Sequence, residues 1–379
     1  MRILHTSDWH LGKKLFKLDR TEEHVLFLDW LIDTLKSETI DLLIIAGDVF
    51  DSPTPPHQSL ELFYHFLHRV SSETHTETLI IAGNHDSGLL IEAPAKLLAP
   101  HRVRVWGKLA EPDHHWREIS HKGETLDICA IPFFRSYELL PHGEGDALEA
   151  LKGFLTKKRS HPQLLILHHL AGMFEAAGSE QVISLSGVDS IPTDILKSFD
   201  YVALGHIHKP QRIGDNIYYS GSPLPLRFSE TKEKSVVLID VKDGKLDSKI
   251  HLIPVFRKLH IVKCDENDWK EKLNSLSGES PLTAMVEVQI KLTNPQVGLI
   301  HEIKSILEKK HMELLSYLPM YVGQEKKENH LKDLFDLSPM DLFEEFYATK
   351  YPDAKDIPEE LKRDFKDLYD KVKHASPEA

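Results

Sequence analysis

Six apolar runs that read as strands punctuate the first 210 residues, at 2–6, 41–46, 78–82, 126–131, 163–168 and 200–205. Five of them stop at Asp, Asn or His: Asp8 and His10 after RILHTS, Asp48 after DLLIIAG, Asn84 and His85 after TLIIAG, His168 after QLLIL, and His206 and His208 after DYVALG. Between the first two runs Val25, Leu28, Ile32 and Leu35 recur at helical spacing behind Thr21, and Leu148, Leu151 and Leu155 mark a second helix near 146–157. Strand, helix, strand is the logic of an open α/β sheet. In such a sheet the loops at the carboxyl ends of strands gather on one side, so side chains some 200 positions apart can meet.

One polar residue after a strand is usually a turn residue. Five such rungs in order point to one metal site. Hydrolysis of a phosphodiester needs a strong nucleophile at neutral pH and stabilised charge on the phosphate, and two divalent ions roughly 3.5 to 4 Å apart can supply both. Oxygen donors mixed with imidazoles, with no cysteine among them, suit Mn²⁺ better than a thiolate zinc site. Asp48, in the middle of the ladder and directly after Gly47, is the natural bridge between two ions. His206 and His208 sit at alternate positions and point to the same side. His168 and His169 are adjacent, so alternation lets one of them face the ions; His168, which ends the apolar run, is the favoured one. Asn84 can supply the ligand from its rung, leaving His85 to hydrogen-bond the phosphate and protonate the leaving alkoxide.

Beyond 210 the pattern shifts to consecutive short strands at 216–220, 235–240 and 249–254, with a turn at Asp243-Gly244. A smaller unit then offers a strand at 284–291, a helix at 296–310 and a strand near 319–323. The run QEKKENHLKD reads as a linker, and Ser338-Pro339 as a helix start. In the tail, Leu342, Phe343, Phe346 and Tyr347 form one apolar stripe, and Leu361, Phe365, Leu368, Tyr369 and Val372 form a second. The expected division is 1–258, 259–325 and 331–379.

The net charge is −13, and residues 331–379 carry 13 acidic against 8 basic side chains. A global basic field for coating nucleic acid is thereby excluded, whereas a local basic groove is not. Lys13, Lys14, Lys17 and Arg20 follow the first rung and Lys209 the last, which makes them candidates for phosphate-backbone contacts, with a solvated lysine-rich face as the alternative. No apolar run approaches the roughly 20 residues of a membrane span, and the N-terminus shows no signal-peptide pattern. A cytoplasmic protein without disulfides is expected, with Cys129 a buried thiol.

The set DWH, GDVFD, GNHD and GHIH resembles the calcineurin-like metallophosphoesterases. Within them SDWHLGK, GDVFDSPTPP and YYSGSPLPLRFSE are similar to the SbcD family of bacterial nuclease subunits, over most of residues 1–255. The resemblance implies a layered α/β/β/α sandwich with a small α+β capping domain and a C-terminal helical tail. It implies that Asp8, His10, Asp48 and His208 hold one Mn²⁺ and that Asp48, Asn84, His168 and His206 hold the other, with Mg²⁺ as the alternative metal, while His85 engages the phosphate. It further implies 3′ to 5′ double-strand exonuclease and single-strand or hairpin endonuclease activity, in recombination, repair and replication. The implied partners are DNA, an SbcC-type coiled-coil ATPase docked on the tail stripes, and a second copy of the chain within a heterotetramer. A phosphatase or cyclic-nucleotide phosphodiesterase is the rival reading, and the roughly 120 residues after the sandwich argue against a minimal phosphatase.

Overall fold

The structure is a computed structural model, and it describes residues 1–16, 18–140, 145–176, 190–230 and 233–321, together with 340, 343, 347, 357–359 and 361–365. The chain runs β1 (Arg2–Thr6), β2 (Lys14–Leu15), β3 (Leu18–Asp19), α1 (Thr21–Ser37), β4 (Leu42–Ala46), α2 (His57–Glu73), β5 (Glu77–Ile81), α3 (Gly88–Glu92), α4 (Ala95–Leu98) and β6 (Val103–Trp106). It continues through β7 (Trp116–His121), β8 (Glu124–Ile131), α5 (Ser136–Leu139), α6 (Ala147–Leu155), β9 (Gln163–His168), α7 (Thr193–Leu196), β10 (Tyr201–Gly205), β11 (Gln211–Arg212) and β12 (Ile217–Tyr219). Last come β13 (Ser235–Lys242), β14 (Lys245–Leu252), β15 (Arg257–Asp265), α8 (Trp269–Ser275), β16 (Leu282–Leu292), α9 (Leu299–Glu308) and β17 (Met312–Tyr321).

Two six-stranded sheets form the sandwich, ordered β14-β13-β1-β4-β5-β6 and β11-β12-β10-β9-β8-β7. The central strands of each are parallel, and β13 and β7 run antiparallel to their neighbours. The central strands are buried on both faces, so β4, β9 and β10 read as nearly unbroken apolar runs. Ile3, Ile44 and Ile81 of the first sheet meet Ile128, Ile166 and Ala203 of the second in the interlayer core. Their neighbours Leu4, Leu43 and Ile80 turn the other way, onto Phe27 and Leu31 of α1 and Phe63 and Phe66 of α2. Leu165 and Val202 of the second sheet face Leu151 and Leu155 of α6. The layers are thus α/β/β/α, as the sequence leads one to expect.

Contacts divide the chain into Met1–Ile290 with Gln296–Pro319, and Lys291–Pro295 with Met320–Ala379. In the first, β15, β16 and β17 make a three-stranded sheet, with Ile303 and Leu307 of α9 buried. In the second, the rings of Phe343 and Phe365 stack with centroids 4.3 Å apart.

Several boundaries differ from expectation. The strand expected near 319–323 begins at Met312, its apolar residues interrupted by Glu313 and Ser316, which hide the alternation. The strand expected at 249–254 runs instead from Lys245 to Leu252 as β14, a mostly exposed edge strand whose polar residues give no burial signal. α2 is absent from the expected elements, although Phe63, Phe66, Leu67 and Val70 form its buried stripe. The linker and Ser338-Pro339 lie outside the described residues.

Candidate metal centre

The carboxyl ends of β1, β4, β5, β9 and β10 converge because those strands are parallel within their sheets. Backbone bonds then lace the loops together: the Asp8 N–H donates to the Gly47 carbonyl and the His10 N–H to the Asp48 carbonyl, each at 3.0 Å. Four of the rung residues stand in left-handed backbone, Asp8 at φ 54°, His10 at 48°, Asp48 at 50° and His206 at 92°. Such strain in non-glycine residues persists where the surroundings fix it, and it gathers at functional sites. Gly205 permits the closest approach: a Cβ there would lie 2.0 Å from the Ala46 carbonyl oxygen and 2.6 Å from His168 Nδ1.

Asp8, His10, Asp48 and His208 are buried and present donor atoms that all lie within 4.8 Å of one another. His10 Nε2 is 3.2 Å from His208 Nε2 and 3.5 Å from Asp48 Oδ2. His168 Nε2 lies 3.4 Å from the same Asp48 Oδ2 and 3.0 Å from Asn84 Oδ1. Asn84 Oδ1 in turn is 2.7 Å from His206 Nδ1. Asp48 Oδ2 therefore stands between two groups of donors, one around His10 and His208, the other around His168, Asn84 and His206. The other Asp48 oxygen accepts the His85 N–H at 2.8 Å.

The adjacent histidines part ways. His168 donates from Nδ1 to the Ala46 carbonyl at 2.7 Å, which aims Nε2 into the cluster. His169 stacks on Phe133, packs on Phe134 and accepts the Phe134 N–H at Nε2. Burial keeps its imidazole uncharged, well below the usual histidine range.

The electrostatics are those of a cation site. Burial lowers the His168 pKa, but the Asp48 and Asp8 carboxylates outweigh it and raise it to about 9. Burial raises Asp8 to about 6, against the pull of His168. Asp48, although burial pushes it up, is held below the ordinary carboxylate range by His168 and His10. Burial takes His206 down to about 3 and His208 well below its usual value, so both are neutral donors. A proton on His168 supplies the positive charge these carboxylates call for, and a divalent cation would supply more. Two imidazole nitrogens 3.2 Å apart share at most one proton, whereas two lone pairs at that spacing suit one ion. The donor set fits a divalent metal site of oxygen and imidazole ligands.

Three supporting residues escape the sequence reading. Asp86 accepts from the Val49, Phe50 and Gly83 N–H groups and so joins the Asp48 loop to the Asn84 loop; its place in GNHD is the signal. Asp51 Oδ1 lies 3.3 Å from His10 Nδ1. Lys234, buried, donates to the His208 carbonyl and Ser222 Oγ and pairs with Glu230, and no sequence pattern marks it.

The candidate DNA contacts fare differently. Lys14 is exposed. Lys13 pairs with Asp51 and Lys209 with Glu175. Arg20 has to be withdrawn: it is 1% exposed, with its guanidinium spent on Glu23 and the Pro225 carbonyl. Lys17 lies outside the described residues, as do Leu342, Phe346, Leu368 and Tyr369 of the tail stripes. Leu361 is exposed.

The profile of the calcineurin-like phosphoesterase family matches residues 1–210, and that of the type 5 capsule protein repressor C-terminal domain matches residues 255–351. The sequence is 32% identical over 316 residues to the SbcD subunit of nuclease SbcCD from Escherichia coli (strain K12), covering 76% of this chain and 78% of that protein. It is 33% identical over 288 residues to the protein of the same name from Rhodobacter capsulatus, covering 68% and 71%. For the Bacillus subtilis (strain 168) protein of that name the figure is 29% over 389 residues, covering 95% of each. Similarity of this extent, reaching well past the sandwich, makes the chain a calcineurin-like phosphoesterase and a member of the SbcD family of nuclease subunits.

Proposed function

We propose that this chain is the Mn²⁺-dependent nuclease subunit of an SbcCD-type complex. It hydrolyses DNA phosphodiester bonds as a 3′ to 5′ double-strand exonuclease and as an endonuclease on single strands and hairpins, serving recombination, repair and replication. The observation that carries the reading is the place of Asp48 Oδ2, 3.5 Å from His10 Nε2 and 3.4 Å from His168 Nε2. Asp8, His10, Asp48 and His208 would hold one ion, and Asp48, Asn84, His168 and His206 the other. Two divalent cations held there would lower the pKa of a bound water and neutralise charge on the phosphate oxygens, with Mg²⁺ as the alternative to Mn²⁺.

The chain's own groups do the rest. Asp48 fixes the His85 backbone while facing both donor groups. His85 Nδ1 donates a hydrogen bond to the Asp51 carbonyl at 3.0 Å, which leaves Nε2 to engage a phosphate oxygen and, when protonated, to hand its proton to the departing alkoxide. Exposed Lys14 is the remaining described candidate for a phosphate-backbone contact that no ion pair occupies. The functional division is 1–258 for the nuclease, 259–325 for the cap and 331–379 for the module that docks on an SbcC-type coiled-coil ATPase, in a cytoplasmic heterotetramer containing two copies of this chain. The relatives are named as one component of a nuclease, SbcCD, and that supports the partnership. No helix among the described residues is long and apolar enough to cross a membrane.

The test is digestion of end-labelled duplex and hairpin DNA with Mn²⁺, with and without the ATPase partner. Shortening from 3′ ends and opening of hairpins is the expected result. Intact DNA alongside hydrolysis of small phosphodiesters would replace this reading with a phosphodiesterase.

A further inference from the structure

We propose that Asp51 is a positioning residue for both parts of the site, its carboxylate orienting His10 and its backbone carbonyl orienting His85. The inference rests on the two-ion reading above.

His10 turns Nε2 toward the cluster, 3.2 Å from His208 Nε2 and 3.5 Å from Asp48 Oδ2. A neutral imidazole that lends Nε2 to an ion carries its proton on Nδ1, and the group that receives this proton sets the ring's tautomer and angle. In this fold His10 Nδ1 is buried, makes no hydrogen bond among the described residues, and faces Asp51 Oδ1 at 3.3 Å. The contact is a close electrostatic one rather than an aligned hydrogen bond. Lys13 Nζ stands 2.9 Å from the same carboxylate oxygen and holds it in place as an anion. That duty binds Lys13 to the site from behind.

The backbone of the same residue serves the second histidine. The Asp51 N–H donates to the Leu11 carbonyl at 3.2 Å, fastening this loop to the one after β1. The Asp51 carbonyl accepts from His85 Nδ1 at 3.0 Å. The rings of His10 and His85 meet edge to face with centroids 4.8 Å apart, so one residue sets the relation between an ion ligand and the histidine that acts on phosphate.

The two duties separate cleanly, because Asp51→Ala deletes the carboxylate and keeps the carbonyl. Calorimetric titration of Mn²⁺ into the full chain should show one of two ions bound 10- to 100-fold more weakly, at roughly the cost of losing such an outer partner. The second ion and the melting temperature of the metal-free chain should be unchanged, and saturating Mn²⁺ should restore kcat, since His85 keeps its orientation. Asp51→Asn, which retains an acceptor facing Nδ1, should recover most of the lost affinity. Unchanged affinity in Asp51→Ala, or equal weakening of both ions with a lower melting temperature of the metal-free chain, overturns the inference alone. Wild-type protein that takes up no Mn²⁺ overturns it together with the two-ion reading.

Discussion

Asp48 divides its carboxylate between two tasks, one oxygen holding the His85 backbone and the other facing both donor groups. A residue so placed cannot be replaced piecemeal. Asp48→Ala should leave less than one Mn²⁺ per chain by elemental analysis, whereas His85→Ala should retain both ions and lose roughly 10²- to 10⁴-fold in kcat, the usual worth of a general acid. Empty sites in the His85 variant would refute that division. The rungs are legible in the sequence because a parallel sheet turns strand ends into neighbours, whatever their separation along the chain. The residues behind them are not. Asp51 and Lys234 reach the site only because loops from different strands meet there, and the choice between His168 and His169 depends on which side of β9 carries Phe133 and Phe134.

At the scale of elements, the first turn of α1 is tied to β15 by a buried ionic cluster. Glu23, 1% exposed, accepts from Arg20 Nε at 3.1 Å and from Arg257 Nε at 2.7 Å, while Arg257 also donates to the Thr283 carbonyl of β16. Glu23→Ala would leave Arg20 without its carboxylate and Arg257 with only the exposed Glu22, at a cost of about 3 to 5 kcal/mol in urea unfolding. Glu22→Ala, which removes a mostly exposed partner 3.5 Å from Arg257, should stay within about 1 kcal/mol. Comparable losses in the two variants would mean that burial is not what makes Glu23 matter. Apolar runs that end at a polar rung made β1, β4, β9 and β10 readable. An arginine after a run of lysines reads as one more surface charge, and only its partner Glu23, three residues on, gives a hint of burial.

For the molecule as a whole, the acidic end carries its own apolar stripes, and Phe343 and Phe365 of the two stripes stack on each other. If the tail serves as the partner module, deletion of 331–379 should leave Mn²⁺ content unchanged and abolish co-purification with an SbcC-type ATPase. An undiminished pull-down would remove the assignment. The fold class was legible because the alternation of strands and helices is global, while the tail's apolar stripes lie in residues the structure describes only in part.

The donors around Asp48 come from both layers of the sandwich: Asp8, His10, Asp48 and Asn84 follow strands of one sheet, and His168, His206 and His208 end or follow strands of the other. Ions bound among them would rivet the two sheets together. Thermal stability would then climb with the logarithm of free metal concentration, and stripping the metal would loosen the seam between the sheets before it loosened either sheet.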